Sequence, residues 1–524
     1  MGTTIPLSLG SFTTQDPRAS CKRLVGCMSE QTDQDSPADA KNQIQPAYLR
    51  RMAGIRALNG FNDGSGLPVR GMWEMAGIEY VVIGPNLYSA VISPFTQSVV
   101  LSGVLNPGNP IPNDSFVRMT DNGACLIILV PATGINNSNI TTQAFTYAPL
   151  GGGFQTLNAT FFTTLGAVDC WFVDSFIVFL ALNGTTFFND DGRAVSGNNQ
   201  ITFTTASSFS RQFGTDQFVG GTVDHREVLF FGTRTSEGYV NAGNPTGSPF
   251  SSAPDSFIQQ GAHPQALYAI GLQDQSVIWL ANDLTVRRRN GQTPVRISNS
   301  GVEQILQQLL NQTGKFGTLN SCYVLTPTVS GHPLWILMLP DAISPEGTQG
   351  RSLCYDCLTS KWFELESFGG ANNTVPLGMW RVLCYHNGFG MQLVGDSQSS
   401  QVGVLDVSAF AEFGATQICS FTTQPVYDGN NRIQHRRLEV IITAGETPSI
   451  TAKPIVDIFV SDNQGHIFDS VVDVQNLGGE GQYDQRALAF NLGQHRAGIY
   501  KIRVTDPTPV FTVDIQATLE GGKW

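Results

Sequence analysis

The sequence predicts an all-β protein whose body is a β-propeller of about six blades. Only 14% of the 524 residues are charged, whereas 55 are glycine and 27 are proline, which is typical of a large β protein rich in turns. Short runs of apolar and β-branched residues alternate with turn signals along most of the chain. These units recur roughly every 45 to 55 residues, as the blades of a propeller do.

Residues 1–67 are predicted to form an N-terminal docking arm. Short motifs alternate there with polar stretches, and Ser36-Pro37 interrupts them. Residues 1–60 contain seven basic and five acidic residues, so they carry a charge of +2. Because the whole chain carries −12, the remaining residues carry −14. We expect such an arm to bind a neighbouring protein, with Arg50, Arg51 and Arg56 as interface candidates.

Residues 68–420 are predicted to form the propeller. The segments 79–91, 167–179 and 352–366 each read as strand, turn and strand. In the second of them the turn falls at Asp174-Ser175, and Asn-Gly and Asp-Gly steps elsewhere suit tight hairpins because both central residues take positive φ. Cys354 and Cys357 form a lone C-x-x-C in such a hairpin, so they indicate a strand or turn position and no zinc site.

One helix is predicted inside the propeller segment, near residues 300–312. Ser300 and Glu303 match the capping box, in which a serine hydroxyl and a glutamate carboxylate bind the free amides at the helix start. Apolar residues at 302, 305, 306, 309 and 310 lie on one helical face. We expect that face to pack on a sheet.

Residues 421–524 are predicted to form a small C-terminal β-sandwich-like domain. Strand-like segments at 438–443, 454–460, 487–492, 498–504 and 511–517 are separated by glycine-rich turns. The change in character near residue 420 places the boundary with the propeller.

Two basic clusters outside the arm are further interface candidates. They consist of Arg287, Arg288, Arg289, Arg432, Arg436 and Arg437. Such residues either contact a partner or DNA phosphate, or form solvated strand edges that discourage unwanted pairing. If they make contacts, we favour subunit docking over DNA binding.

The sequence predicts no catalytic, cofactor-binding or metal-binding residues. It contains no phosphate-binding glycine loop, no H-E-x-x-H and no G-x-S-x-G, which are the common signatures of such sites. His225, between Asp224 and Arg226, has the most charged surroundings of the seven histidines. It is either a general base or a turn residue that bonds backbone, and the second interpretation is favoured.

The overall charge of −12 argues against a protein that grips DNA, because groove binders are basic. An acidic body could instead line a passage through which DNA slides, or the charge could simply keep the protein soluble. The first residues lack the basic start and apolar run of a signal peptide, and no apolar run is long enough to span a membrane. The nine cysteines fit synthesis as reduced thiols in a cytoplasm.

Several motifs, in order along the chain, resemble the packaged-DNA stabilisation proteins of short-tailed phages. The central one is Val223-Asp-His-Arg-Glu-Val-Leu-Phe-Phe-Gly-Thr-Arg-Thr-Ser-Glu237. Others lie before and after it, at Phe172–Phe179, Phe257–Gly261, Val277–Trp279, Arg296–Ser298, Tyr355-Asp356, Lys361-Trp362 and Gly481–Arg486. In the arm, Cys27 and Glu30 fit the pattern, whereas Ala53 replaces an expected proline and the motif after Glu237 lacks an expected tryptophan.

This resemblance implies a virion protein of the tail that forms a ring, usually of six subunits, below the portal and adaptor. Such a tail nozzle retains the packaged DNA and then provides the channel for its ejection, without sequence-specific DNA binding. Its partners would be further copies of the chain, the portal and adaptor proteins, and tail fibre or tailspike proteins. The role requires a stiff fold and no catalysis.

Two other functions compete with this one. A tail-borne propeller that binds or hydrolyses glycans would carry paired carboxylates in a pocket. A cellular β-propeller scaffold would show cleaner repeats than this chain does.

Overall fold

The structure is a computed structural model that describes residues 2–5, 7, 10–13, 20–31, 47–93, 98–104, 110–112, 115–130, 143–158, 160–192, 201–203, 207–311, 318–370, 372–428, 431–446, 453–461, 463, 465, 467–468 and 471–521. The predicted break at Ser36-Pro37 and the end of the predicted helix at residue 312 lie outside these ranges.

The body is a propeller, which confirms the predicted fold, and the described residues form seven four-stranded blades where about six were predicted. The strands of blade 1 are Val69–Met75, Ile78–Ile83, Asn86–Ile92 and Val99–Gly103. Those of blade 2 are Arg118–Asp121, Leu126–Val130, Gln143–Ala148 and Gly153–Thr156. Those of blade 3 are Asp169–Val173, Phe176–Leu180, Thr186–Asn189 and Ser208–Ser210.

Blades 4 to 6 follow the same antiparallel order. The strands of blade 4 are Phe218–Asp224, Glu227–Gly232, Ser236–Asn241 and Phe250–Ile258. Those of blade 5 are Ile270–Gln273, Ser276–Leu280, Val286–Arg288 and Val295–Arg296. Those of blade 6 are Tyr323–Leu325, His332–Ile343, Gln349–Asp356 and Lys361–Glu364, and Thr328–Val329 adds a short pairing to the second of them.

Blade 7 takes its outermost strand from the other end of the chain. The strands Val382–Gly388, Met391–Asp396 and Gln401–Asp406 are followed in the sheet by Gly54–Asn62. A small hairpin, Ala411–Glu412 and Ala415–Thr416, pairs beyond it. The ring closes where the innermost strand of blade 7 contacts that of blade 1, and there His386 Nδ1 lies 2.9 Å from Glu79 Oε1.

The C-terminal region is a two-sheet sandwich, as predicted, but the N-terminal strands complete it. The first sheet contains Gly2–Ile5, Cys27–Gln31, Ala47–Arg51, Ile433–Ile442, Ala487–Phe490, Gln494–His495 and Phe511–Gly521. The second contains Leu24–Val25, Cys419–Thr422, Ile455–Ser461, Val471–Asn476 and Ile499–Val504. His435 of the first sheet hydrogen-bonds Tyr500 of the second, so the two sheets face one another.

The sandwich and the propeller share a continuous sheet. Glu364 at the end of blade 6 pairs in parallel with Val25, which in turn pairs with Ser420 of the sandwich. Residues 20–31 and 47–62 were predicted to belong to a docking arm, but where the structure describes them they lie in the sandwich and in blade 7. The physical reason is that each sheet has an open edge whose backbone groups need a partner.

The remaining elements connect these parts. Two short hairpins pair Phe12–Thr13 with Cys21–Lys22 and Ser367–Gly369 with Val375–Leu377. A short helix spans Thr160–Leu165.

The predicted helix is present and spans Ser300–Leu310. It buries Val302, Leu306 and Leu309 in a core shared with blades 5 and 6, which confirms the predicted face. Its N-cap is Asn299, whose side chain accepts from the Val302 amide at 3.0 Å. The predicted N-cap, Ser300, is therefore wrong by one residue. The carboxylate of Glu303, which was predicted to bind the amide of the N-cap residue, binds Arg296 and the hydroxyl of Ser298.

Candidate functional surfaces

Three aromatic side chains fill the axis of the propeller. Phe116 precedes the innermost strand of blade 2, Tyr268 precedes that of blade 5, and Tyr323 begins that of blade 6. The ring centroid of Phe116 lies 5.1 Å from that of each tyrosine. The hydroxyl of Tyr268 donates to the carbonyl oxygen of Val168 at 2.8 Å, and that of Tyr323 to the carbonyl oxygen of Val382 at 3.2 Å. These bonds fix the two tyrosines to blades other than their own.

The space that remains on the axis is small. A cavity of about 140 Å³ lies beside these rings, lined among others by Trp73, Arg118 and His386. It has room for only a few water molecules, each of which occupies about 30 Å³ in the liquid. A DNA duplex, whose major groove alone is about 12 Å wide, does not fit in the axial space that the described residues leave.

One end of the propeller presents a set of tight hairpin turns. In six blades the turn before the second strand has both central residues at positive φ, the geometry of a type I′ turn. The pairs are Ala76-Gly77, Asp174-Ser175, His225-Arg226, Asp274-Gln275, Ser330-Gly331 and Phe389-Gly390. In blades 3, 4 and 5 neither position is glycine, so polar side chains are held there in a conformation that costs about 1 to 2 kcal/mol per residue.

A cleft of about 700 Å³ opens at this end between blades 4 and 5. Arg289 reaches across it and bridges two carboxylates of blade 4, with Nη1 3.1 Å from Asp224 Oδ2 and Nη2 3.0 Å from Glu227 Oε2. Both acids are at least nine-tenths buried. The bridge ties two blades together and places a guanidinium between the only pair of carboxylates that the described cleft residues offer.

The neighbours of this bridge also pair. Arg288 binds Asp274 at 2.8 Å within blade 5, Arg287 binds Asp283 at 2.9 Å, and Arg226 binds Asp174 of blade 3 at 2.7 Å. His225 occupies a turn, as predicted, with a largely exposed side chain. Its ring contacts the carboxylate of Asp224 at 2.6 Å, whereas a bond to backbone was predicted. The structure therefore brings Arg288 and Arg289 to one cleft and gives each a carboxylate partner.

The arginines predicted for the arm have three different surroundings. Arg56 is exposed and binds Asp406 at 2.8 Å, a hydrogen bond that lowers the pKa of Asp406 to about 2. Arg50 is half-buried and binds Glu30 at 2.8 Å. Arg51 is only 3% exposed, so it cannot serve as a surface contact in this conformation. Nothing in the sequence around Arg51 marks it as a buried arginine.

The C-terminal arginines lie on the outer side of the sandwich. Arg432 and Arg436 are exposed and Arg437 is partly exposed. Arg436 binds Glu520 at 2.9 Å and Arg437 binds Glu439. Phe490 lies opposite Arg437 in the neighbouring strand, and its side chain is exposed. Arginine and aromatic residues are enriched in protein interfaces. Their roles as interface residues remain predictions.

A buried charge cluster at the joint of propeller and sandwich was not predicted from the sequence. Arg23 binds Glu346 at 2.7 Å, Glu364 at 3.1 Å and also Glu366, while Arg351 binds Glu364 at 3.0 Å. Burial alone would raise the pKa of Glu364, but the two arginines hold it at about 2. The cluster connects the N-terminal segment to blade 6, so it stiffens the joint.

The described residues contain no cluster of three or more histidine, cysteine, aspartate or glutamate side chains arranged to hold a metal ion. Among the described helices none combines the length and the apolar character needed to cross a membrane. Cys354 and Cys357 are buried free thiols in a strand and the turn that follows it, as predicted.

Comparison with protein families gives one match, which covers residues 36–409 and therefore more than half of the chain. The matching family is described as Bacteriophage P22 Gp10, beta-propeller. No curated protein matches the chain.

Solved structures resemble the chain only distantly. The computationally designed Ika8 protein is 10% identical with a TM-score of 0.34, and the alignment covers 67% of this chain and all of that one. An exo-β-1,3-galactanase from Phanerochaete chrysosporium is 9% identical with a TM-score of 0.27, covering 90% of this chain and all of that one. YjhT is 10% identical with a TM-score of 0.32, covering 58% and 99%. Likeness at this level carries no argument about function.

Proposed function

The chain belongs to the phage stabilisation family of β-propellers represented by Gp10 of bacteriophage P22, and we propose that it is a structural tail protein of a phage virion that forms the nozzle below the portal. In this role a ring of copies, six by resemblance to the family, retains the packaged DNA and later lets it leave. The observation that carries the proposal is the family match over residues 36–409.

The geometry supports a passage between subunits instead of one within a subunit. Phe116, Tyr268 and Tyr323 occupy the axis of each propeller, so a ring of propellers would leave its channel in the centre of the ring. The overall charge of −12 suits such a channel, because an acidic wall does not hold phosphate.

Stiffness also supports a retaining role. Blade 7 is closed by Gly54–Asn62, and blade 6 continues into the sandwich through Leu24–Val25. Ion pairs between neighbouring blades, such as Arg118 with Asp169 at 2.8 Å, add to the same effect. A body held in this way can bear load from pressurised DNA without a catalytic step.

The glycan-hydrolase alternative receives less support. Asp224 and Glu227 lie in the cleft between blades 4 and 5, but Arg289 bridges them. A glycosidic bond would have to occupy the place of that guanidinium, because hydrolysis requires the two carboxylates to flank it. Incubation of the purified protein with host-surface glycans should release no reducing ends.

The proposal is tested with particles that lack the protein. We expect such particles to package DNA and then lose it, so that added nuclease digests the DNA, and we expect purified protein to restore protection. Retention of nuclease-resistant DNA without the protein would refute the proposal.

Docking to the portal side is tested by replacing Arg436 and Arg437 with alanine. We expect reduced attachment to portal-containing capsids. Arg226→Ala, which removes an exposed arginine of the propeller, serves as the matched control and should attach normally. Normal attachment of the double variant would exclude these residues as the docking site.

A further inference from the structure

Two buried thiols meet where the N-terminal strands join the sandwich. Cys27 and Cys419 are 1% and 2% exposed, and both are free cysteines. The Cys27 thiol donates to the carbonyl oxygen of Ser420 at 3.4 Å, and the backbone just before it approaches Cys419, because a Cβ atom on Gly26 would lie 3.7 Å from the Cys419 Cα. The fold therefore places side by side two cysteines that are far apart along the chain.

A glycine makes this approach possible. Gly26 has a φ of 61°, and a Cβ atom at this position would lie 1.9 Å from the carbonyl oxygen of Ile418. Any other residue would push the backbone away from Cys419–Thr422, since a side chain cannot fit in that space. Cys27 follows Gly26 directly, so the close backbone contact at Gly26 brings Cys27 next to Cys419.

A buried arginine lies beside the two thiols. Arg51 is cross-strand from Cys27 and donates to neutral oxygen atoms, including Gln417 Oε1 at 3.1 Å and the Thr508 carbonyl at 2.9 Å. In the part of the chain that the structure describes, no carboxylate forms an ion pair with it. Burial lowers the pKa of Arg51, whereas the charges of Cys419, Glu412, Asp506 and Cys27 raise it. The positive charge of Arg51 therefore favours a thiolate beside it.

The two sulfur atoms differ in their affinity for a proton. The hydrogen bond from Cys27 and then the charge of Arg51 lower the pKa of Cys419, against the effect of burial. The hydrogen bond to Cys419 and burial raise the pKa of Cys27 well above its usual range. Of the two cysteines, Cys419 therefore loses its proton the more readily. An arginine close to a cysteine favours the thiolate, which is the form that reacts with an oxidant.

We propose that Cys27 and Cys419 are a redox-active pair that forms a disulfide when the protein meets a peroxide. The Cys419 thiolate attacks one oxygen of hydrogen peroxide, the O–O bond breaks and hydroxide leaves, so the sulfur becomes a sulfenic acid. The Cys27 sulfur then attacks the Cys419 sulfur, and the S–O bond breaks. The leaving hydroxide takes the Cys27 proton and departs as water. Two electrons pass from the two sulfur atoms to the peroxide.

The bond would fasten Cys27–Gln31 to Cys419–Thr422, and with it the N-terminal segment to the joint of sandwich and propeller. Because a disulfide between distant residues restricts the unfolded chain strongly, the oxidised protein should resist unfolding better than the reduced one. This inference does not depend on the proposed function.

Peptide mapping of the full-length protein tests the proposal. The protein is purified with a reductant, which is removed before treatment with hydrogen peroxide, and it is then quenched in acid, denatured and alkylated. We expect a peptide that links Cys27 to Cys419. Cys354 and Cys357, a second pair of buried free thiols, are the internal control and should be alkylated. Equal alkylation of all four cysteines, or overoxidation of Cys419 without a link, would overturn the proposal.

Two variants separate the roles of the residues. In Cys27→Ser the sulfenic acid of Cys419 should persist and be trapped by a 1,3-dicarbonyl reagent, because no second thiol can displace it. Arg51→Gln should slow formation of the link several-fold, and Arg51→Lys should restore most of the rate because it keeps the charge. An unchanged rate in Arg51→Gln would exclude the arginine as the activating group. Peptide mapping of the wild-type protein tests the proposal even if one of these variants does not fold.

Discussion

Phe116 and Tyr268 meet edge to face on the axis of the propeller, with ring centroids 5.1 Å apart and ring planes at 86°. Phe116 belongs to the approach to blade 2 and Tyr268 to the approach to blade 5, so the contact spans the ring. Together with Tyr323 they fill the axis of the propeller. In the proposed ring, a channel for DNA would therefore lie between the subunits.

The hydrogen bond of Tyr323 to the Val382 carbonyl should contribute measurably to stability. Tyr323→Phe keeps the ring and removes the hydroxyl, so the carbonyl loses a buried donor, and we expect a loss of about 1 to 2 kcal/mol in the free energy of unfolding. Urea unfolding measures it. Tyr427→Phe, at a 65% exposed position, is the control and should change stability by less than about 0.5 kcal/mol. If the two substitutions changed the free energy of unfolding equally, the hydrogen bond from Tyr323 to Val382 would not contribute to the stability of the propeller.

Glu364 should make the joint sensitive to acid. Its pKa is about 2 in the folded protein against an ordinary value of 4.5, so its contribution is fully present above pH 4.5 and is lost as pH falls to 2. The shift corresponds to a free energy on the order of 3 kcal/mol. Glu364→Gln should therefore lose about that much stability at pH 7 and little near pH 2. A difference from wild type that does not depend on pH would contradict the role of the ion pairs.

Glu412 should have the opposite pH dependence. Burial raises its pKa to about 7 from 4.5, so the protonated form stabilises the fold below pH 4.5 and this contribution is lost as pH rises to 7. Glu412→Gln carries no charge and can still accept the Trp380 indole hydrogen bond, which is 3.1 Å long in the structure. We expect the variant to be the more stable protein above pH 7, by a free energy on the order of 3 kcal/mol. Unfolding midpoints of both proteins from pH 4 to 8 check this, and a variant that is less stable at pH 8 would contradict it.

The hairpin turn of blade 5 should be improved by glycine. Gln275 has a φ of 55°, and because glycine adopts this conformation without strain, Gln275→Gly should raise stability by about 0.5 to 1 kcal/mol. Ser276→Gly is the control one residue later. It should lower stability, because the Ser276 hydroxyl donates to the Arg289 carbonyl at 2.8 Å. Thermal unfolding of both variants gives the comparison, and a loss of stability in Gln275→Gly would show that the turn is not strained.

Local patterns in the sequence were sufficient to predict the hairpins. Asp174-Ser175 is a turn as predicted, and the apolar face of Ser300–Leu310 is buried as predicted. Such features depend on residues that are close along the chain, where turn chemistry and periodicity act directly. The number of blades was harder to predict. The outermost strand of blade 7, Gly54–Asn62, lies far along the chain from the other strands of that blade, and no local pattern indicates that they pair.

The surroundings of single charged residues could not be predicted. Arg50 and Arg51 are adjacent, yet one is half-buried beside Glu30 and the other is buried among carbonyl groups. Only the pairing of strands from both ends of the chain determines this. The axial aromatic residues are marked by a recurring position in the sequence, because Phe116 and Tyr268 each lie two residues before an innermost strand.

The most direct test of the account is a cryo-electron map of the intact virion at a resolution that shows side chains. We expect a ring of propellers below the portal, with DNA density in the centre of the ring and the Phe116, Tyr268 and Tyr323 side chains filling the axis of each propeller. DNA density through the axis of a propeller, or absence of the protein from the tail, would contradict it.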